Sequence, residues 1–478
     1  MSYRQATYDE PFLREFASGT TYEIPGDYGD AESRIPESLR RNNIEMPDIA
    51  EYDVVRHFTR LSQMNYGVDV GFYPLGSCTM KFNPKYADLV SSFPSFRDSH
   101  PLASEGLVQG NLRVMYELQE YLKEISDMDA VSLQPLAGAH GEFSGILIVR
   151  KYFQDKGQLD SRTDIIIPDT AHGTNPASAA MGGFNVVEVA SGPDGTVDVE
   201  ALRKVVSDHT AALMITNPNT LGIFEHNIFE ISSILHEKGA LLYYDGANLN
   251  AILGQTSPGL MGFDIVHFNL HKTFATPHGG GGPGSGPIAV RKHLQDYLPV
   301  PVVRRTGDRY NLDYSLKNTI GKVSSFYGSF GVLLRAWSYI TKSGGDGLGM
   351  NSKIAVLDTN YISARLAGTY GIPFKKEKMH ELVISSSSTG RRALDIAKYV
   401  LDKGMHPPTV YFPLIVKESM MIEPTETVSK QDLDRYCDLL ELAAHEPADQ
   451  LSEHPFNTAI GRIDEVRAAR DQKLNWHS

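Results

Sequence analysis

The stretch His-Phe-Asn-Leu-His-Lys, residues 267–272, decides the fold and the chemistry predicted for this chain. It follows an apolar run at 263–266 and ends at Lys272. A run of the same kind, residues 241–244, is followed by Asp245, 27 positions before the lysine (272 − 245). One lysine and one acid, each at the end of a short apolar strand, are what pyridoxal 5'-phosphate requires. The lysine holds the aldehyde as a Schiff base, and the acid keeps the pyridine nitrogen protonated.

An ordinary surface lysine beside a loop is the alternative interpretation, because most lysines are exposed. Two features of the sequence argue against it. His267 and His271 lie just before Lys272, and a glycine-rich stretch, residues 279–286, follows it. This setting favours the Schiff-base role.

Composition excludes several classes of function. The 478 residues are enough for two or three domains, and 41% hydrophobic with 22% charged residues is typical of soluble globular proteins. The net charge of −13 argues against a nucleic-acid binder. The sequence shows no secretory signal and no membrane span. Two distant cysteines, Cys78 and Cys437, form neither a disulfide framework nor a zinc pattern, so we expect a cytoplasmic protein.

Short apolar strands alternate with helical segments between residues 61 and 330. This alternation predicts an α/β domain with a mostly parallel sheet and helices on both faces. We interpret residues 1–60 as a polar N-terminal arm and residues 331–478 as a smaller C-terminal α+β domain. The predicted strands are 165–167, 186–189, 213–215, 241–244, 265–268, 287–290, 381–385 and 410–413, and the predicted helices are 112–125, 143–152, 199–208, 228–238, 331–341, 354–366 and 391–403.

A candidate phosphate site lies where small residues open a predicted helix. Ala139, His140 and Gly141 stand at this point, where free backbone N–H groups and the helix dipole favour an anion. An ordinary glycine turn has the same composition. The presence of Lys272 downstream favours the phosphate interpretation.

Further candidates follow predicted strands, where ligands of parallel sheets bind. His172 can stack on a cofactor ring, and Thr174 can hydrogen-bond nearby. Asn217 can donate to the phenolic oxygen of the cofactor, although a plain Asn-Pro turn explains the same residues. Asn269 and His271, beside Lys272, complete the predicted cofactor contacts. The run 71–81 has no role assigned by composition, and we expect its Cys78 to be buried and inert.

Several long motifs in the same order resemble the P-protein family of the glycine cleavage system, in particular the β subunit of the two-chain glycine decarboxylase. The similarity runs from about residue 50 to 450. The motifs are Gly-Phe-Tyr-Pro-Leu-Gly-Ser-Cys-Thr-Met-Lys (71–81), Ala-Gly-Ala-His-Gly-Glu (137–142), Ala-His-Gly-Thr-Asn-Pro-Ala-Ser-Ala (171–179), Asp-Gly-Ala-Asn-Leu-Asn-Ala (245–251), Asn-Leu-His-Lys-Thr-Phe (269–274), His-Pro-Pro-Thr-Val-Tyr-Phe-Pro (406–413) and Glu-Pro-Thr-Glu (423–426).

The resemblance implies a fold-type I pyridoxal phosphate enzyme of the aspartate-aminotransferase type. It implies that Lys272 forms the internal aldimine, that Asp245 pairs with the pyridine nitrogen, and that His172 stacks on the ring. It further implies decarboxylation of glycine and transfer of the aminomethyl group to the lipoyl arm of the H-protein, with release of CO2. An α2β2 assembly with a glycine decarboxylase α subunit is the implied partner arrangement.

Two rival functions remain at this point. One is another fold-type I enzyme, an aminotransferase or a desulfurase. A desulfurase needs a reactive cysteine, for which Cys78 and Cys437 are poor candidates, whereas an aminotransferase is not excluded. The other is a non-catalytic subunit of the same fold, against which the presence of both Lys272 and Asp245 argues.

Overall fold

The main sheet positions the residues singled out above. In this computed structural model, which describes residues 4–16, 35–40, 49–279 and 284–472, the sheet has seven strands in the spatial order β1-β7-β6-β5-β4-β2-β3. Strands β2 to β6 pair in parallel, whereas β7 runs antiparallel to both β6 and β1. The strands are β1 (Ala130–Ser132), β2 (Asp164–Pro168), β3 (Asn185–Val189), β4 (Thr210–Thr216), β5 (Leu241–Gly246), β6 (Ile265–Phe268) and β7 (Ile288–Val290).

Helices precede the sheet and cover it. Every residue of β4, β5 and β6 is buried, as expected for parallel strands that are covered on both faces. Successive side chains of a strand point to opposite faces of the sheet. In β5, Leu242 accordingly belongs to one hydrophobic cluster and Tyr243 to another. The helices are α1 (Glu51–Gln63), α2 (Lys85–Ser91), α3 (Pro94–Arg97), α4 (Gln109–Ser126), α5 (Gly138–Asp155), α6 (Thr174–Met181), α7 (Val199–Val205), α8 (Ile228–Glu237) and α9 (Leu270–Thr273). The predicted α/β fold with a mostly parallel sheet is confirmed.

After the main sheet, the chain forms a hairpin of β8 (Val302–Thr306) and β9 (Arg309–Asp313), which the sequence pattern did not predict. Helix α10 (Phe330–Leu366) contains both helices predicted at 331–341 and 354–366. Between them the helix kinks at Gly344, whose φ of 64° lies outside the helical region.

The C-terminal part contains a three-stranded antiparallel sheet in the order β10-β12-β11. Its strands are β10 (Leu382–Ser385), β11 (Thr409–Val410) and β12 (Ser419–Ile422), and its helices are α11 (Ala393–Asp402), α12 (Lys430–His445), α13 (Ala448–Leu451) and α14 (Glu465–Arg470). The central strand β12 was not predicted. The predicted strand 410–413 is wrong beyond Val410, because the chain turns at Tyr411, where φ is 60°.

The run 71–81, which we had placed in the large domain, packs against this C-terminal sheet. Phe72 belongs to its hydrophobic cluster, and Leu75 forms a β-bridge with Ile422.

The predicted arm, residues 1–60, lies partly outside the described residues, as does the middle of the glycine-rich stretch. Of its described part, Glu10 binds His57 and Arg60 of α1, so α1 continues through the expected boundary at residue 60. No helix of the described ranges has the length and apolar character needed to cross a membrane.

Glycine at position 145 is required by packing. A Cβ there would lie 2.2 Å from Cε2 of Tyr243, which is fully buried. We expect Gly145→Ala to lower the free energy of unfolding by about 1–3 kcal/mol, although alanine is the better helix former. Gly110→Ala in α4 is the matched control, because a Cβ at Gly110 meets nothing within 4 Å and should stabilise by up to about 1 kcal/mol. Urea unfolding measures both, and a Gly145→Ala protein as stable as the wild type would contradict the prediction.

Candidate active site

Lys272 and Asp245 lie at the same edge of the main sheet, where the parallel strands end. Asp245 is the penultimate residue of β5, and Lys272 lies in α9, which begins two residues after β6 ends. The Nζ of Lys272 donates to the carbonyl oxygen of Ser77 at 2.7 Å. The lysine is therefore held from the run 71–81, not from the main sheet.

Asp245 is the centre of a buried polar network. Its Oδ1 lies 3.2 Å from Nε2 of His267, and its Oδ2 accepts from Nδ2 of Asn175 at 3.1 Å. The backbone N–H of Ala247 donates to Oδ1 at 2.9 Å. Burial opposes ionisation of Asp245, but His267 and Lys272 outweigh it, so the pKa of Asp245 lies below its usual range. An ionised acid at this place is what a protonated pyridine nitrogen requires.

His267 is fixed by its strand. The register of β5 and β6 sets Asp245 opposite His267, so the two side chains project from neighbouring strands toward each other. On the other side of the ring, Nδ1 of His267 lies 2.8 Å from the hydroxyl of Tyr243. Nδ2 of Asn269 lies 3.2 Å from Nε2, the same nitrogen that faces Asp245. The predicted residue Asn269 therefore belongs to the network around Asp245.

Sequence reasoning missed three members of this network, namely His267, Asn175 and Glu142. Glu142 is buried, and its Oε1 has no hydrogen-bond partner among the described residues. Burial and the charge of Asp245 raise the pKa of Glu142. Asn175 and Glu142 both stand inside motifs quoted from the sequence, but nothing in their spacing signals that they face Asp245.

The predicted phosphate site lies at the first turn of α5. The turn packs tightly against its surroundings, since a Cβ at Gly141 would lie 2.3 Å from the carbonyl oxygen of Gly286. Ala139 is exposed, and the half-buried His140 accepts the backbone N–H of Leu136 on Nδ1 at 3.1 Å. Burial lowers the pKa of His140, in keeping with a neutral ring that accepts a hydrogen bond. Free N–H groups of a first helical turn suit a phosphate. The contacts of this turn do not test this role, which stays a prediction.

Of the remaining predicted residues, His172 and His271 lie near Lys272. Burial and the charge of Lys272 lower the pKa of His172, whose ring lies 5.4 Å from that of Phe412. Burial and the neighbouring His278 lower the pKa of His271 to about 3. Both rings are therefore neutral near pH 7. Thr174 is exposed at the start of α6.

The structure gives Asn217 a different contact from the predicted one. Its Oδ1 accepts the backbone N–H of Glu225 at 2.9 Å, and its Nδ2 lies 3.4 Å from both the carbonyl oxygen of Glu225 and Sδ of Met261. The fully buried side chain thus stabilises the turn after β4. This arrangement matches the alternative Asn-Pro turn and gives no support to a contact with the cofactor.

The expectation that Cys78 is buried is wrong. Cys78 is half-buried, because it lies in the loop that passes Lys272. Burial nevertheless raises the pKa of its thiol, and burial raises that of Cys437 to about 12. Both thiols stay protonated near neutral pH, which disfavours nucleophilic cysteine chemistry.

The chain fits pyridoxal phosphate. Lys272 supplies the amine, and Asp245 supplies an ionised carboxylate close enough for their charges to interact. Near Lys272, Nδ1 of His271 and Nε2 of His278 are buried without hydrogen-bond partners among the described residues, which leaves polar atoms for a ligand.

Comparisons with known proteins show the family of this chain. The family described as "Glycine dehydrogenase, C-terminal domain" matches residues 351–458, and the class-V aminotransferase family matches residues 141–302. The chain is 65% identical over 476 residues to the probable glycine dehydrogenase (decarboxylating) subunit 2 of Thermoplasma volcanium, covering 100% of both chains. It is 52% identical over 488 residues to the protein of the same name from Pyrococcus furiosus, covering 99% of this chain and 97% of the relative. The chain belongs to the glycine dehydrogenase (decarboxylating) subunit 2 family.

Solved structures show the same fold. A glycine decarboxylase (P-protein) of the glycine cleavage system, in inhibitor-bound form, has a TM-score of 0.74 at 18% identity and covers 86% of this chain and 93% of its own. A NifS-like protein has a TM-score of 0.61 at 15% identity, covering 78% and 98%. The predictions of a fold-type I enzyme and of pyridoxal phosphate as its cofactor are confirmed by these family matches.

The hydrogen bonds and charges around Asp245 keep its carboxylate ionised. We expect Asp245→Asn to retain part of the bound cofactor but to lose most of the decarboxylation, because a neutral amide does not keep the pyridine nitrogen protonated. Asp169→Asn is the matched control, since Asp169 directly follows β2 and its carboxylate instead binds the backbone N–H and hydroxyl of Ser191. Visible absorbance measures cofactor content, and release of labelled CO2 from glycine measures turnover. Near wild-type turnover of Asp245→Asn would remove the electron-sink role.

Proposed function

We propose that this chain decarboxylates glycine with pyridoxal phosphate and transfers the remaining aminomethyl group to the lipoyl arm of an H-protein. The observation that carries the proposal is the pair of Lys272 and ionised Asp245 at one sheet edge, in a chain matched along its whole length by relatives named glycine dehydrogenase (decarboxylating) subunit 2. When bound, the cofactor supplies an aldehyde for the amine of glycine and a ring that accepts the electrons left by departing CO2.

The residues of the chain bind, orient and hold protons around that chemistry. Asp245 holds a proton at the pyridine nitrogen, and His267 and Asn175 keep its carboxylate in place. Lys272 would hold the cofactor between turnovers. The neutral rings of His172 and His271 cover the site without adding positive charge beside Lys272. The first turn of α5 holds the phosphate.

The rival functions have less support. Both thiols have raised pKa values, which argues against a desulfurase, and the intact Asp245 network argues against a non-catalytic scaffold. The name "subunit 2" indicates a partner subunit in the relatives. We propose an α2β2 assembly with a glycine decarboxylase α subunit, located in the cytoplasm, that exchanges the aminomethyl group with lipoylated H-protein.

Lys272 is the predicted attachment point of the cofactor. Lys272→Ala should abolish the adduct that borohydride fixes, because no other amine is expected to reach the aldehyde. The exposed Lys292→Ala is the control and should keep the adduct. Peptide mapping of the reduced protein checks both variants. A pyridoxyl group found on any other lysine would show that the assignment is wrong.

We expect the chain to need its partner for full activity. Alone it should bind the cofactor but exchange little carbon between glycine and bicarbonate, because active sites of this fold commonly lie at a subunit boundary. The experiment titrates the α subunit against a fixed amount of this chain, with lipoylated H-protein present, and follows mass by light scattering. Full exchange without the α subunit, or failure to form a mixed complex, would rule out the partner requirement.

A further inference from the structure

Two fully buried carboxylates at the ends of C-terminal strands face the run 71–81, whose Ser77 accepts from Lys272. Glu381 precedes β10 and Glu423 follows β12, and the pairing of Leu382 with Ile422 sets the two acids at neighbouring positions. One oxygen of each and a nitrogen of the buried His380 lie within 4.8 Å of one another. Like charges this close in the interior repel strongly. Such repulsion is relieved when one acid is protonated or when a positive charge lies nearby.

The two acids bind the loop that receives Lys272. Glu381 accepts the backbone N–H of Ser77 at 3.0 Å, and Glu423 accepts the backbone N–H of Thr79 at 2.9 Å and also its hydroxyl. Ser77 and Thr79 have φ angles of 65° and 46°, in the left-handed region that is unfavourable for a residue with a side chain. The hydrogen bonds that Ser77 and Thr79 donate to the acids offset this cost, and the carbonyl oxygen of Ser77 accepts from Lys272.

Glu381 also ties this loop to the main sheet. Its Oε1 accepts Nδ2 of Asn248 at 3.0 Å, and the same amide donates to the carbonyl oxygen of Pro218 at 2.9 Å. The backbone of Glu381 lies so close to Gly222 that a Cβ there would be 1.9 Å from its carbonyl oxygen. The carboxylate of Glu381 thus connects the loops after β4 and β5 to the run 71–81.

The charges around Lys272 come from several elements. The charges of Asp245, from β5, and of Glu381, from the C-terminal sheet, interact with that of Lys272. Glu423 lies in the same region, since the charges of Glu423 and Lys272 both act on Cys78. The four histidines that face it have lowered pKa values, with burial as the first cause, and are neutral near pH 7: His172, His271, His278 and His380. The other buried cation nearby, Lys81, forms its salt bridge with Glu426 at 2.7 Å.

Burial and the charge of Glu423 raise the pKa of Glu381. All four carboxylate oxygens of the pair accept hydrogen bonds, and such hydrogen bonds favour the ionised form of a carboxyl group. Lys272 is a cation of this region whose charge interacts with Glu381.

We propose that Glu381 and Glu423 are positioning residues for Lys272, which fix the loop that receives its ammonium group and supply negative charge that stabilises its protonated form. The inference rests on the proposed role of Lys272 in the reaction. It adds that the C-terminal sheet, not the cofactor-binding sheet alone, sets the charge of this lysine.

The test is competitive acetylation of the full chain without cofactor, followed at single lysines by mass spectrometry across pH. Glu423→Gln should lower the midpoint pH of acetylation at Lys272 by about one unit, because it removes a nearby negative charge. Glu381→Gln should lower it less, since Glu381 holds its proton over a wider range. Glu418→Gln is the matched control, because Glu418 accepts the N–H of Ala393 at the other end of β12 and should leave the midpoint unchanged.

Folded Gln variants whose Lys272 midpoint equals that of Glu418→Gln would overturn the proposal. Should Glu423→Gln fail to fold, Glu381→Gln and the wild type still decide. The wild-type comparison uses Lys378, which is buried and bonded to carbonyl oxygens, and whose pKa burial lowers to about 8. A wild-type Lys272 midpoint at or below that of Lys378 also overturns the proposal. Because no cofactor is present, this readout is separate from the borohydride mapping that tests Lys272 itself.

Discussion

A buried, ionised carboxylate at the end of β5 is the constraint on which the site depends. Moving an isolated carboxylate out of water is strongly unfavourable, so Asp245 has to be surrounded by donors and positive charge. The donors come from separate elements, with His267 on β6, Asn175 on α6 and the N–H of Ala247 beyond β5. Each of these elements must therefore sit correctly for the acid to remain charged, and the packing of the main sheet serves that requirement.

The reversal of the last strand brings the second half of the site into place. Since β7 runs antiparallel to β6, residues 284–287 lie at the same sheet edge as the start of α5. Gly141 and Gly286 allow close contacts between backbones, whereas a Cβ at Gly138 would meet the side chain of Asn269. A side chain at any of the three would push the helix N-terminus away from Lys272. At Gly141 and Gly286, glycine is thus a requirement for the close approach of two backbones.

The sequence predicted the buried parallel strands well, because runs such as 241–244 and 265–268 are apolar on both faces. It did not predict β1, which has three residues, or β12, whose Ser-Met-Met-Ile sequence lacks a β-branched pattern. Lys272 and Asp245 were found because strand ends are visible in a sequence. His267, Asn175 and Glu142 were missed, because their proximity to Asp245 depends on strand register and helix placement. The role of Asn217 was left open between two interpretations, because a turn residue and a cofactor contact look alike in one dimension.

The run 71–81 had no predicted role, yet it contacts α9 at the lysine and at the residue that follows it. Its Ser77 carbonyl accepts from Lys272, while its fully buried Lys81 donates to the carbonyl of Thr273 at 2.9 Å. Lys81 also binds Glu426 of the C-terminal part, and a buried ion pair of this kind is costly to break because one charge is left unpaired. The run is thus held by the C-terminal part and in turn holds α9. The lysine that defines the site is positioned by residues almost two hundred positions before it and more than one hundred after it, which no local sequence pattern can reveal.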